Sequence, residues 1–241
     1  MKILIMINEI ILFIKKEKII FWILISSIIF SLIFIFTNRI PELFLYWKEI
    51  MLFLYSISIS IIATIIFYIF QIYIPNIKKT KKIVKVFHEQ YKYFKLDTIQ
   101  IFIWVLNENN KEPEDLIDLD DFKKYFKSEK WDMTDNWSEL INRIEDDDND
   151  EHFQDLVFQI ELLHKKINLL LLSIDLPDDV FSFFHRLDET LSKLKYIRKD
   201  SERYQNDYKI FWRTLWEIFT GWSNINWYSN IDFVKKNLDK V

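Results

Sequence analysis

The chain has no cysteine among its 241 residues, one glycine and four prolines. Without cysteine there is no disulfide framework, no thiolate metal site and no cysteine nucleophile. With Gly221 as its one glycine, the chain has no glycine-rich loop to wrap backbone N–H groups around a phosphate, so P-loop and dinucleotide-binding motifs are absent. Histidine is sparse as well. His88, His152, His164 and His185 match neither an HExxH pattern nor the Arg-x4-6-His spacing of small helical ribonucleases. His164 and His185 stand at similar distances from a turn near Leu176 and would face each other across a helical hairpin, although ordinary amphipathic placement accounts for both. The expectation is a protein that is not an enzyme and needs no cofactor or metal. The shortage of glycine, with abundant Ile, Lys, Asn and Phe, points to AT-rich, bacterial coding.

Charge is missing from two long runs. Ile19 to Thr37 is 19 residues without a formal charge, and Ile50 to Ile74 is 25. A helix rises about 1.5 Å per residue, so either run reaches across a hydrocarbon core of roughly 30 Å. Lysines flank the pair: Lys15, Lys16 and Lys18 before the first run, and Lys78, Lys79, Lys81, Lys82 and Lys85 after the second. These would contact an anionic membrane surface. The connection between the runs holds Arg39 and Lys48 against Glu42 and Glu49. The lysine and arginine bias therefore predicts a bacterial inner-membrane hairpin, spanning about 19–37 and 50–74, with both termini cytoplasmic. Trp22 and Tyr73 fall at the inner interface, and Tyr46 and Trp47 at the outer one. Residues 1–18 read as an interfacial segment, because their apolar run is too short to span and no small-x-small cleavage site follows it.

Neither run contains Asp, Glu, Lys, Arg or His, which argues against proton relays and coupled transport. What recurs instead is small residues: Ser27 and Ser31 in the first run, and Ser56, Ser60 and Thr64, with Ala63 beside them, in the second. That spacing lets helix backbones approach in lipid. Two readings stand. The stripes pack the hairpin together, or one packs it while the other joins copies of the chain into an oligomer, even a pore.

The formal charge of −4 hides a division. Up to Lys85 there are eleven Lys/Arg and four Asp/Glu, a balance of +7, whereas the remainder has 21 and 32, a balance of −11. So acidic a portion is a poor match for phosphate backbones, and nucleic acid is not an expected partner. The predicted organisation is an N-terminal segment (1–18), a transmembrane hairpin with its basic flank (19–85) and an acidic, cytosolic, all-α domain (86–241). The fold class is thus a helical membrane protein. In the last portion the second span continues as a stalk from Val86 to Phe94, followed by a separate apolar helix over Asp97–Asn107 and a loop around Pro113. Short helices are expected near Leu119–Lys127 and Asp135–Glu145. A long helix over Glu151–Ile174 presents Phe153, Leu156, Val157, Ile160, Leu163, Ile167 and Leu170 on one face. Asp175 reads as the cap of the next helix, with Pro177 in its first turn; that helix buries Val180, Phe184, Leu187, Leu191 and Leu194 and runs to about Lys199. An aromatic helix over Tyr204–Thr220 stops at Gly221, and Ile231–Leu238 forms a short helix. No strand pattern is evident.

Three features of the acidic portion invite a function. Lys193, Lys195, Arg198, Lys199 and Arg203 form a basic cluster suited to a small anionic ligand, unless the acidic run Asp146–Glu151 lies level with it across the hairpin and neutralises it. Asp146, Asp148 and Asp150 have the opening spacing of a calcium loop. However, Glu151 stands where that loop needs glycine, and Val157 where it needs a bidentate glutamate. Tyr208, Phe211, Trp212, Leu215, Trp216 and Phe219 cover more of the aromatic helix than one bundle face requires, so the helix is central, meets another subunit together with Trp222 beyond it, or lines a ligand pocket. The layout matches bacterial antiviral defence effectors that breach their own membrane. It suggests a membrane-anchored, non-enzymatic effector or sensor subunit that acts on the membrane, by pore formation or disruption, once its soluble domain oligomerises or receives a signal. The alternative is a passive anchor recruiting a cytosolic protein partner.

Overall fold

A computed structural model describes residues 10–11, 13–14, 17–37, 46–108, 110–127, 135–146, 150–197, 204–223, 227–228 and 230–241. Among these residues the chain is helical apart from one two-residue ladder. It divides into two compact units, Met1–Lys79 and Thr80–Val241.

In the first unit, α1 (Lys18–Thr37) packs on α2 (Trp47–Tyr68), which passes through a π-helical turn (Ile69–Tyr73) into α3 (Ile74–Leu106). The packing is antiparallel: Phe34 stacks on Tyr55 at 4.6 Å towards one end, and Phe13 meets Tyr73 at 5.0 Å towards the other. Both apolar helices are long and apolar enough to cross a membrane, and only 11% of the most apolar stretch of each is buried. What is buried is a narrow seam, made by Ser27 and Ser31 on α1 and by Ser58 and Ile65 on α2.

The second unit contains the rest of α3, a 3-10 turn (Pro113–Leu116), α4 (Leu119–Phe126), α5 (Asn136–Glu145), α6 (Glu151–Ser173), α7 (Asp178–Leu194), α8 (Tyr204–Thr220) and α9 (Phe233–Leu238). Its core centres on aromatic rings from α3, α4 and α8. Phe102 meets Phe126 edge-on at 5.7 Å, and Phe122 stacks on Phe219 at 4.9 Å. The apolar face expected of α6 is buried from Phe153 to Leu170, and α7 returns across it with Val180, Phe184, Leu191 and Leu194. Short helices are held by side-chain caps, which satisfy first-turn N–H groups. Asp118 accepts from the Asp120 N–H at 3.0 Å, Asp135 from Ser138 at 2.8 Å and Asp232 from Lys235 at 3.0 Å.

Several expectations are corrected. The stalk and the helix expected at Asp97 are one uninterrupted α3. Pro177, not Asp175, occupies the N-cap of α7, and Asp178 and Asp179 supply the first-turn negative charge that favours a helix N-terminus. α7 ends at Leu194 rather than near Lys199. After Gly221 an antiparallel ladder pairs Trp222 with Tyr228 and Ser223 with Trp227. Gly221 itself has φ +63°, and a Cβ there would stand 2.5 Å from the Ile231 carbonyl oxygen, so both the backbone and the space require glycine.

Candidate functional site

The small residues of the hairpin separate into two faces. Ser27 and Ser31 lie in the buried seam, where the Ser31 hydroxyl donates to the Ser27 carbonyl at 2.9 Å. Ser56, Ser60, Ala63 and Thr64 are exposed. Counting about 100° per residue, Ser56 and Ser60 stand about 160° around α2 from Ser58, on the opposite side of the helix. The Ser56 hydroxyl donates to the Leu52 carbonyl at 2.9 Å and that of Thr64 to the Ser60 carbonyl at 2.8 Å. These hydroxyls are thereby satisfied within their own helix, which an apolar surrounding requires. Of the flanking lysines, Lys18, Lys78, Lys79, Lys81, Lys82 and Lys85 are exposed, and Lys15 and Lys16 lie outside the described residues.

The basic cluster is described in part. Lys193 is exposed, and Lys195 holds its ammonium 4.9 Å from the centre of the Tyr196 ring. Arg198, Lys199 and Arg203 lie outside the described residues, as do Asp147 and Asp148, so the expected neutralisation across the hairpin falls there too. The positive charge of Lys195 does reach across to α6. The Glu161 carboxyl is held below its usual range first by a hydrogen bond from Lys165, with a smaller contribution from Lys195.

His164 and His185 do not pair. His164 Nε2 lies 3.2 Å from Asp188 Oδ1, which also accepts from Asn168 at 2.9 Å, whereas His185 faces Glu189 at 3.7 Å. Burial pushes His164 below its usual pKa, against the pull of Asp188. Among the described residues no three His, Asp or Glu side chains group to hold a metal ion.

Tyr208, Phe211, Trp212 and Phe219 of α8 face inward. Tyr208 is 6% exposed and Trp212 4%, and the Tyr208 hydroxyl donates to the Ile141 carbonyl at 3.3 Å. Trp216 is half-buried, 4.9 Å from Trp137 and 6.1 Å from Phe122. Tyr208 and Trp212 are thus parts of this chain's own core; the Trp222 side chain lies outside the described residues.

A cleft in the second unit went unnoticed in the sequence. It encloses about 560 Å³ between α3, the start of α4 and α9, with Tyr91, Lys92, Lys95, Ile117, Asp232 and Lys235 on its walls. Lys95 is 5% exposed, and its ammonium donates to Asp232 Oδ2 at 3.1 Å. That ammonium also stands 5.7 Å from the Tyr91 ring centre and 5.6 Å from that of Phe219. The Tyr91 hydroxyl donates to the same carboxylate, 3.1 Å from each oxygen. Burial, then the neighbouring Asp232 charge, drives the Tyr91 hydroxyl well above its ordinary pKa, so it stays a donor and is no nucleophile. The available signal was Lys95 itself. It is a lone charge on the α3 face that also carries Tyr91, Phe94, Thr98 and Ile99, all buried. A lysine there needs a partner, and local sequence offers none.

No family model matches the chain, and neither curated proteins nor solved structures give a match.

Proposed function

We propose that this chain is a membrane-anchored, non-enzymatic effector or sensor subunit. In this reading α1 and α2 cross the bacterial inner membrane as a hairpin, with both termini and the second unit in the cytoplasm. The observation that carries it is the exposure of the two apolar helices: only 11% of each apolar stretch is covered by the chain itself. Water would penalise that surface by about 25 cal/mol per Å², and a bilayer would not. The exposed lysines beside both helices suit an anionic cytoplasmic leaflet.

A hairpin without intramembrane charge acts on a bilayer only by associating. The Ser56/Ser60/Ala63/Thr64 face lies opposite the hairpin seam, so a second copy would dock there without displacing α1. The second unit would receive a signal and set the degree of association.

Two experiments test this. A topology reporter fused after Val241 is expected to be active in the cytosol, and one inserted at Glu42 outside; the reverse pattern refutes the orientation. Protein reconstituted into dye-loaded vesicles is expected to release dye as self-association rises. Tight capture of a cytosolic partner by a monomer that never causes leakage would instead identify a passive anchor.

A further inference from the structure

We infer that the cleft between α3, α4 and α9 binds a small, soluble organic anion, a phosphate ester or carboxylate carrying an apolar group. The inference stands on the second unit alone and does not depend on the membrane reading. The volume of about 560 Å³ lies within the roughly 300–1,000 Å³ of small-molecule sites.

The hydrogen-bonding capacity left on the walls indicates the ligand's chemistry. The lining carries Lys92, Lys95 and Lys235 against Glu89, Asp118 and Asp232, so formal charge alone decides nothing. Two of the three acids are engaged, and Glu89 is exposed and makes no side-chain hydrogen bond or ion pair among the described residues. Asp232 accepts from Tyr91, Lys95 and the Lys235 backbone, and Asp118 accepts from the Asp120 backbone. The donors are not. Lys92 and Lys235 are exposed and make no side-chain hydrogen bond or ion pair among the described residues. Buried Lys95 has three N–H groups, and one carboxylate oxygen accepts from them. Against the one unengaged carboxylate, that of Glu89, the cleft therefore still offers an excess of charge-assisted donors, two of them on flexible stems at its rim and one fixed at its base. An acceptor-rich anion satisfies that set. Ile117 and Leu119, both half-buried, form an apolar wall for the rest of the ligand.

Of the basic cluster around Lys193, the described members Lys193 and Lys195 do not line this site. Its occupant would bridge Lys92 on α3 and Lys235 on α9, and so fasten α9 to α3.

Phenyl phosphate is a suitable probe, titrated calorimetrically at low ionic strength into the full chain in maltoside micelles. Saturable binding is expected, tighter than for inorganic phosphate, which lacks an apolar body. Lys92→Gln and Lys235→Gln are each expected to weaken it about tenfold, the usual scale for one charge-assisted hydrogen bond. Both side chains are exposed, so the thermal melt should not move. Lys236→Gln, also on α9 but absent from the lining, is expected to leave binding unchanged. Absence of saturable binding, equal affinity for inorganic phosphate, or equal loss in all three variants overturns the inference. Displacement of the probe by short-chain phosphatidylglycerol at lower concentration than phenyl phosphate itself overturns the soluble-ligand assignment, because the site would then belong to a lipid headgroup.

Discussion

Replacing Asp232 with asparagine isolates one interaction in the second unit. Asparagine caps a helix about as well as aspartate, so the start of α9 keeps its bond to the Lys235 N–H. Asparagine can also still accept from the Tyr91 hydroxyl. What disappears is the negative charge beside Lys95, whose side chain is 6% exposed. Removing one partner of a buried ion pair costs about 3–5 kcal/mol, because the remaining charge is left uncompensated. Two features place Asp232→Asn at the lower end. The ammonium keeps the faces of Tyr91 and Phe219, and the cleft beside it admits water. A loss of about 3 kcal/mol lowers the melting temperature by about 6–12 °C in a body of this size, at roughly 2–4 °C per kcal/mol. Far-UV circular dichroism of the full chain in micelles reads that shift. Adding Lys95→Met should recover most of it, since both halves of the pair are then gone. A fall below 2 °C for Asp232→Asn, or a double variant no more stable than the single, would refute this account of the pair.

Other substitutions probe different parts of the chain. Gly221→Ala should cost at least 1–2 kcal/mol in the same melt, on the order expected for a left-handed residue given a clashing Cβ. In the hairpin, Ser27→Leu overfills the buried seam and should destabilise it by about 1–3 kcal/mol, read by the separation of spin labels on α1 and α2. Ser60→Leu lies on the open face; it should leave that separation unchanged and reduce cross-linking between copies. His164 is held below its ordinary pKa by burial, so below about pH 6.5 the unfolded chain binds the extra proton more readily than the folded one. Stability should therefore be full above that pH and fall as the solution is acidified, and His164→Gln should flatten the profile between pH 7 and 5.

Much of the helical layout was legible because burial follows period. The α6 face from Phe153 to Leu170 could be read directly, as could Val180, Phe184, Leu191 and Leu194 on α7. Leu187 is only partly buried. The errors arose where long-range partners override local pattern. Lys95 and Asp97 suggest a break between two helices in the sequence, whereas α3 runs through both, and Asp232, 137 residues away, accepts from the Lys95 ammonium. Asp175 looked like a cap because it precedes Pro177, but the two acids after the proline already supply the first-turn charge. The π-helical turn at Ile69–Tyr73 has no compositional signature, and the ladder beyond Gly221 is too short to create an alternating pattern. At the candidate sites, sequence identified residue types but not their facing. Both small-residue stripes were visible, whereas only the structure separates Ser58 in the seam from Ser56 and Ser60 outside it. The cleft was invisible because its walls come from three distant stretches of the chain.

The pairing of Lys95 with Asp232 also has a consequence for synthesis. At about 5–20 residues per second, the ribosome needs roughly 7–27 s to add the 137 residues between them. During that interval α1 and α2 are already made, and α3 must carry an ammonium on the face destined for the core without its counter-ion. Closing the core over an unpaired charge is unfavourable, so the α3 face around Tyr91 and Phe94 should stay open until Asp232 has been added. Chains ending before Asp232 should therefore be cut by protease within α3, whereas the released 241-residue chain should resist. The second unit would thus mature only after translation has passed Asp232, long after α1 and α2 have been made.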